Sequence, residues 1–531
     1  MSSANVEAQP LLPERTSLRQ QRAINLGSIF VPVCLGISLI CVGQLVLSVV
    51  HNSLGSTETF TEPAHFLSPR PSTANCSLHW FDQRVDHFST LNTTYAQRYY
   101  VHDAFWKRKA DGHTADGPIL FYCGNEGDVT LYVNNTGLMW ENAEALGAAL
   151  IFAEHRYFGE SRPFGAHQTQ HLAYLTHEQA LADYAVLLRT FQTTRNTSSP
   201  VIAIGGSYGG MLASWFRMKY PGTIAGAIAA SAPILGFPEG YPEHFTGEKY
   251  WQVVTHDATP AAGAAPTCEA NVRASWPLLF ATAQTETGRR QLGEIFQLCR
   301  PLRTAADAET LATGLLMAWD TMAMGNFPFP SSYLTGGAAD LPAYPVRAAC
   351  DLMAASTNAS TLLPAMRNAA NLYLNATKDV PCFAWDTLDF DGLWGYVWCS
   401  QMLPQESYFD TDGIHDMFWD RSLSFDQVAA DCKARWGVSP DPDWIRTSYG
   451  DLKTMLQATS NIVFSNGGYD PWRAGGVLSN PWNPRIAIVD IPEGAHHLDL
   501  FFSHKDDPVS VRHARHIELD HIRQWIRDFN A

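Results

Sequence analysis

Apolar residues divide the chain into three kinds of segment. The first is Leu26–Val50, a run without a single charged residue. As a helix it would be about 37 Å long at ~1.5 Å per residue, more than the ~30 Å hydrocarbon core of a bilayer. It also exceeds the ~7–15-residue apolar region of a cleavable signal peptide, so the pattern predicts a single transmembrane signal anchor. The second kind is a set of short apolar runs: Pro118–Cys123, Ala148–Ala153, Pro200–Ile204, Ala225–Ala230, Asn461–Phe464 and Arg485–Ile491. Pro118–Cys123 and Ala148–Ala153 have the look of parallel strands buried on both faces, and the other four read as further strands. Helical patterns alternate with them. Thr176-x-x-Gln179 is a capping box opening a helix with Ala180, Leu181, Tyr184, Leu187 and Leu188 on one face. Another helix ends at Tyr220 before Pro221-Gly222, and an amphipathic helix spans Pro508 to Phe529. The third kind, roughly Pro238 to Asp451, is Ala-rich and mostly helical, and interrupts the alternation.

This pattern predicts an α/β fold, one sheet covered on both faces and interrupted by a large helical insertion. The expected divisions are a cytosolic tail (1–25), the anchor (26–50), a Ser/Thr/Pro-rich stem (51–75), the first part of the α/β domain (76–237), a helical cap (238–451) and the second part (452–531). An insertion of this kind can lie over the carboxyl ends of the strands, where open α/β sheets bind ligands.

Charge sets the expected compartment. Arg15, Arg19 and Arg22 precede the apolar run and Glu58 is the first charge after it, which keeps the N-terminus cytosolic and sends the rest across the membrane as a type II protein. Glu7-Ala-Gln-Pro-Leu11-Leu12 resembles an acidic dileucine signal, so the expected location is an endolysosomal or vacuolar membrane. A cell-surface form, or one secreted by cleavage of the stem, is left open. Asn75, Asn92, Asn134, Asn196, Asn358 and Asn375 begin glycosylation sequons. Of ten cysteines, Cys34 and Cys41 fall in the apolar run, while six fall between Cys268 and Cys432, marking a stapled region. None has C-x-x-C spacing, which disfavours zinc and thioredoxin-like chemistry; no metal or organic cofactor is expected. With 52 acidic against 36 basic side chains the formal charge is −16, which excludes nucleic acid as a natural partner. Hydrophobic residues at 46% and charged residues at 17%, against a typical ~25% charged, exclude a disordered or coiled-coil protein.

The candidate chemistry starts at Gly205-x-Ser207-x-Gly209, between an apolar strand and a helix. Glycines flank the serine in a nucleophile elbow because the turn leaves no room for Cβ atoms. A serine hydroxyl needs a base to take its proton, and the base an orienting carboxylate. Asp470, in Asn466-Gly-Gly-Tyr-Asp-Pro-Trp472, follows one late strand, and His496 and His497, in Glu493-Gly-Ala-His-His-Leu-Asp499, follow the next. The order Ser, acid, His is that of the α/β-hydrolases.

With these residues in place, the sequence resembles the serine peptidase family of prolyl carboxypeptidase and dipeptidyl peptidase II. The resemblance runs from Trp80–Phe88 to Trp525–Phe529 and includes Phe121–Asp128, Phe152–Ser161, Gly205–Leu212 and Glu493–Leu500. It implies an α/β-hydrolase sheet with a helical cap and cleavage after proline, with Ser207 as nucleophile, Asp470 as acid and His496 as base. It further implies disulfides Cys268–Cys350, Cys299–Cys382 and Cys399–Cys432, leaves a homodimer open, and gives His497 the role of a packed neighbour. An oxyanion hole would use the N–H of Tyr208 and that of Gly124 or Asn125. Glu126 and Asp128 would either contact a substrate terminus or make caps and bonds to Arg156. Cys123, Tyr469, Arg473 and Ser400-Gln401 depart from the family pattern, which bears on subsites rather than on the triad. The expected substrates are peptides with proline near a terminus. Asn134–Trp140, Gly159–Ser161 and Ala213–Phe216 look closer to the carboxypeptidase branch. The alternatives are release of N-terminal X-Pro dipeptides, a non-catalytic hydrolase-fold binding protein, and an esterase or lipase.

Overall fold

The six apolar runs form the parallel part of an eight-stranded sheet. The computed structural model describes residues 69–109, 115–236, 249–356, 358–387, 389, 392–402, 410–422, 424–480 and 482–531. Its strands are β1 (Ser77–Arg84), β2 (Thr94–His102), β3 (Ile119–Cys123), β4 (Ala149–Ala153), β5 (Val201–Gly206), β6 (Gly226–Ala230), β7 (Ile462–Gly467) and β8 (Ile486–Ile491). Their order is β1-β2-β4-β3-β5-β6-β7-β8. β1 and β2 are antiparallel additions at one edge, and every pair from β4 to β8 is parallel. The sequence pattern did not reveal β1 and β2. In β1 the alternation runs backwards for a half-buried strand: Leu78 and Trp80 are exposed, while Gln83 is buried and hydrogen-bonded to Gln97.

The helices are α1 (Val129–Val133), α2 (Gly137–Leu146), α3 (His177–Thr194), α4 (Tyr208–Lys219), α5 (Tyr250–Asp257), α6 (Cys268–Ala283), α7 (Glu286–Ile295), α8 (Asp307–Met324), α9 (Pro345–Ala354), α10 (Ala359–Leu374), α11 (Trp394–Ser400), α12 (Phe425–Trp436), α13 (Trp444–Tyr449), α14 (Leu452–Ala458) and α15 (Val509–Asn530). Alternating side chains of the central strands feed two different cores. Phe121, Ile151 and Ala203 pack with α3 and α4, whereas Leu120, Leu150 and Ile202 pack with α2 and α15. The Thr176 hydroxyl accepts the Gln179 N–H at 3.2 Å, capping α3.

The insertion between β6 and β7 has two parts. Helices α5 to α10 build a core of their own around Trp251, Trp276 and Trp319. In contrast, Tyr396, Val397, Ile445 and Leu456 join the sheet core on the α3–α4 side. Disulfides Cys268–Cys350 and Cys299–Cys382 hold the first part and Cys399–Cys432 the second. Cys76 and Cys123 are free. Among the sequons, Asn75, Asn92, Asn134, Asn196 and Asn358 are exposed and Asn375 is partly buried.

The expectation of a fold preceded by a transmembrane helix is corrected. No helix among the described residues is long and apolar enough to cross a membrane. The longest, α15, is amphipathic and carries Arg512, Asp520, Arg523 and Arg527 beside its buried Val511, Leu519 and Ile522. The run Leu26–Val50, with the dileucine pattern before it, lies outside the described residues. The fold is therefore the α/β sheet with its helical insertion. Neither membrane association nor a homodimer is supported.

α15 docks so closely that a Cβ at Gly226 in β6 would lie 2.1 Å from the Trp525 ring. Gly226→Ala is expected to destabilise the protein by about 1–3 kcal/mol, read as a lower denaturation midpoint with an unchanged m-value.

Candidate active site

β5 runs straight into α4 through one strained residue. Ser207 has φ 58° and ψ −128°, a conformation that costs a non-glycine residue about 1–3 kcal/mol. The turn is held because the Ser207 N–H donates to Ala230 O at 2.9 Å and the Met211 N–H to Ser207 O at 3.0 Å. A Cβ at Gly205 would meet Gly209 O at 2.2 Å, and one at Gly209 would meet Asn125 Oδ1 at 2.2 Å and Cys123 O at 2.7 Å. Those close approaches are why both flanking positions are glycine. Ser207 itself is partly exposed at the carboxyl end of the sheet.

Asp470 and His496 stand at the same end, on the loops after β7 and β8. Asp470 is fully buried, and its Oδ1 accepts the Trp472 N–H at 3.1 Å and the Nδ1 of His496 at 2.9 Å. A carboxylate can only accept, so Nδ1–H is the donor in this hydrogen bond. The insertion fixes the other side of this pair. The His496 N–H donates to Met324 O, and Trp472 Nε1–H to Met324 Sδ, at the end of α8.

His497 is placed differently. It is buried with φ 41°, its N–H donates to Ser231 Oγ at 2.7 Å, and its ring stacks on Phe501. A Cβ on Gly206 would lie 2.6 Å from that ring, so the histidine loop abuts the elbow beside Ser207. Burial, reinforced by the neighbouring His496, holds the His497 pKa far below the usual imidazole range, so this ring is neutral.

The loop after β3 closes the remaining side. Asn125 donates its Nδ2–H to Gly206 O at 2.7 Å and accepts from Tyr122 OH at 3.2 Å, which ties that loop to the elbow. Gly124 lies so close to Ala153 O and His155 N that a side chain would not fit, and its carbonyl accepts from Tyr184 OH at 3.0 Å. Tyr208 is the first residue of α4, where helix geometry leaves the N–H without an intrahelical acceptor.

Glu126 and Asp128 separate. Asp128 caps α1 through the Thr130 N–H and pairs with Arg98 at 2.7 Å. Arg156 binds Asp183 with two 2.7 Å hydrogen bonds, so it is not the partner of Glu126. Part of Glu126 reaches the surface, but its Oε2 is buried without a hydrogen-bond partner. Burial raises its pKa above the usual carboxylate range, and His496, within electrostatic reach, opposes the rise only partly.

One carboxyl near the site was not anticipated. Asp257, at the end of α5, is fully buried and accepts from Asn326 Nδ2 at 3.0 Å. Burial, with the Asp470 charge adding, pushes its pKa up to about 7. No local motif marks Asp257; its role beside Asp470 depends on how the insertion docks.

Residues 83–402 and 424–518 match the family described as Serine carboxypeptidase S28. The chain belongs to that family. The lysosomal Pro-X carboxypeptidase of Bos taurus is 40% identical over 494 residues, covering 90% of this chain and 94% of that protein. The Homo sapiens protein of the same name is 41% identical over 491 residues, covering 90% and 93%. Prolyl carboxy peptidase like protein 5 of Caenorhabditis elegans is 34% identical over 446 residues, covering 79% and 85%. This S28 protein is thus a serine peptidase of the carboxypeptidase type.

Its departures from the family pattern have definite places. Cys123 is fully buried, and burial holds its thiol far above the usual range, so it is not a reactive nucleophile. Tyr469 is buried in the acid loop, its N–H on Gly494 O, and Arg473 pairs with Asp490 at 3.5 Å. Gln401 accepts from the His177 N–H and contacts His177 Nδ1 at 2.9 Å, holding the start of α3.

Proposed function

We propose that this S28 peptidase removes the last residue from peptides ending in Pro-X, with Ser207 as nucleophile, His496 as general base and Asp470 as its orienting acid. The observation that carries this reading is the Asp470–His496 hydrogen bond on the loops after β7 and β8, at the same end of the sheet as the strained Ser207 elbow. His496 Nε2 takes the Ser207 proton as Oγ attacks the carbonyl of the proline residue, and returns it to the departing amino acid. Water then hydrolyses the acyl-enzyme by the same route. The oxyanion is assigned to the N–H of Tyr208 and one from the Gly124–Asn125 loop. Pro-X cleavage comes from the relatives, which are named for it. So does a lysosomal lumen, which suits a protein that keeps Glu126 and Asp257 protonated more readily than usual.

The test of polarity is a pair of blocked peptides. N-blocked Pro-X peptides should lose their last residue, and blocking the C-terminus should suppress that. Preference for free-amino X-Pro substrates with no turnover of N-blocked Pro-X would replace this reading with release of N-terminal dipeptides.

The histidines should differ in effect. His496→Ala is expected to be severe and His497→Ala milder, because His497 is a neutral ring stacked behind the site; the reverse order of kcat values would reassign the base.

Glu126 adds a pH dependence. While protonated it is a neutral O–H donor near His496; once ionised it adds negative charge close to where the oxyanion develops. Activity should therefore fall as pH rises through its raised pKa, and Glu126→Gln should extend the active range upward. An alkaline limb at the same pH in both proteins would remove Glu126 from this role.

A further inference from the structure

Behind the histidine loop, two acids meet in the core. Glu518 of α15 is fully buried and Asp499, two residues after His497, is 1% exposed. Their carboxyl groups are in hydrogen-bond contact, with the Ser465 hydroxyl of β7 beside them. Ser465 has one proton to give, and it goes to Asp499 Oδ2 at 2.5 Å. The nearest cation is Arg515, one turn earlier on α15, and its guanidinium is committed elsewhere. Nε donates to Asp499 O at 2.9 Å, Nη2 to Leu498 O at 3.0 Å and Nη1 to Asp507 Oδ2 at 2.6 Å. Neither Oε1 nor Oε2 of Glu518 receives a donor. β6, β7, β8 and α15 contribute Ile228, Val463, Val489, Leu519 and Ile522 to the apolar core on this side of the sheet.

Two ionised carboxylates in contact in such a place would repel each other with no solvent, and only the charge of Arg515, whose hydrogen bonds go elsewhere, to offset them in part. A shared proton converts that repulsion into an O–H···O hydrogen bond. The segment it holds is the one carrying the base. Arg515 grips the backbone of Leu498 and Asp499, the Glu518 carboxyl grips the Asp499 side chain, and His496 and His497 lie immediately before.

We propose that Glu518 and Asp499 share one proton, and that this proton-sharing pair is a positioning element that holds the His496 segment against α15. Glu518 keeps the proton, because burial and then the Asp499 charge raise its pKa well above the usual carboxylate range, while Arg515 and the Ser465 hydroxyl oppose this only in part. A raised folded-state pKa contributes stability that is fully present below the unfolded value of about 4.3 and is lost as pH rises through the folded value. The device locks in acid and loosens toward alkaline pH.

The catalytic half of the proposal rests on His496 being the base, so the test includes readouts that need no turnover. Glu518→Gln supplies a permanent neutral N–H donor to Asp499, whereas Glu518→Ala removes the contact. In full-length protein at about pH 6, the infrared carboxylic-acid C=O absorbance should lose one group's intensity in Glu518→Gln. Between about pH 5 and about pH 8 the melting temperature of the wild type should fall more than that of Glu518→Gln. The kcat ratio of Glu518→Gln to wild type should rise with pH, by about tenfold per unit beyond the pair's pKa, with KM little changed. Glu518→Ala should lose kcat at every pH. An unchanged infrared band overturns the shared proton; a lost band with a flat kcat ratio overturns the positioning role.

Discussion

Ser207→Ala is expected to lower kcat by about 10⁶, the scale seen when the nucleophile of a serine peptidase is removed, while peptide binding survives. The elbow geometry makes this a clean experiment. Alanine matches serine in size at a φ of 58° that the surrounding hydrogen bonds already impose, and the Ser207 side chain caps nothing in α4. The fold and the neighbouring Tyr208 N–H should therefore persist. The measurement pairs steady-state kinetics with labelling by a fluorophosphonate, which should modify the wild type at Ser207 and leave the variant unmarked. Labelling of the variant at another serine, with activity retained, would show that the elbow is not the reactive centre.

Asp470→Asn should cost about 10⁴ in kcat with little change in fold, because the side chain keeps its shape and loses its charge. In the native protein Asp470 Oδ1 serves both the Trp472 N–H and His496 Nδ1. An amide NH₂ turned toward the ring would donate to Nδ1, moving the imidazole proton to Nε2, where the base needs its lone pair. The charge that stabilises the imidazolium would go as well. Because Asp257 also lies near, Asp257→Asn is the matched control; it removes a buried ionisable group without touching the ring and should leave kcat within about tenfold of the wild type. A loss at Asp257 larger than at Asp470 would exchange their assignments.

Much of the site was legible because its parts are local. The six parallel strands announced themselves as short, mostly apolar runs, since a strand buried on both faces has few polar positions to spare. Gly205 and Gly209 marked the elbow because a Cβ cannot fit beside Gly209 O or Cys123 O, a constraint set within a few residues and the next strand. Asp470 and His496 became candidates by their order and by their position after strands. β1 escaped because its exposed Leu78 and Trp80 imitate the wrong face, and pairing with β2 rather than apolar burial defines it. The uncharged run Leu26–Val50 led to a membrane-spanning fold that the described helices do not support.

What the sequence determined by itself is therefore the chemistry that short-range sterics and hydrophobic period encode: parallel strands, a serine on a strained turn, and an acid and a histidine on the loops that follow. What only the tertiary structure decided is everything that depends on which groups meet in the core. It gave the Nδ1 proton of His496 an acceptor, made His497 a neutral neighbour and freed Glu126 from Arg156. It also set Asp257 within electrostatic reach of Asp470 and Glu518 beside Asp499. A carboxyl's proton affinity is set by the dielectric and charges within a few ångströms of it. Those neighbours come from strands and helices far apart in the chain, so no pattern along the sequence could carry them.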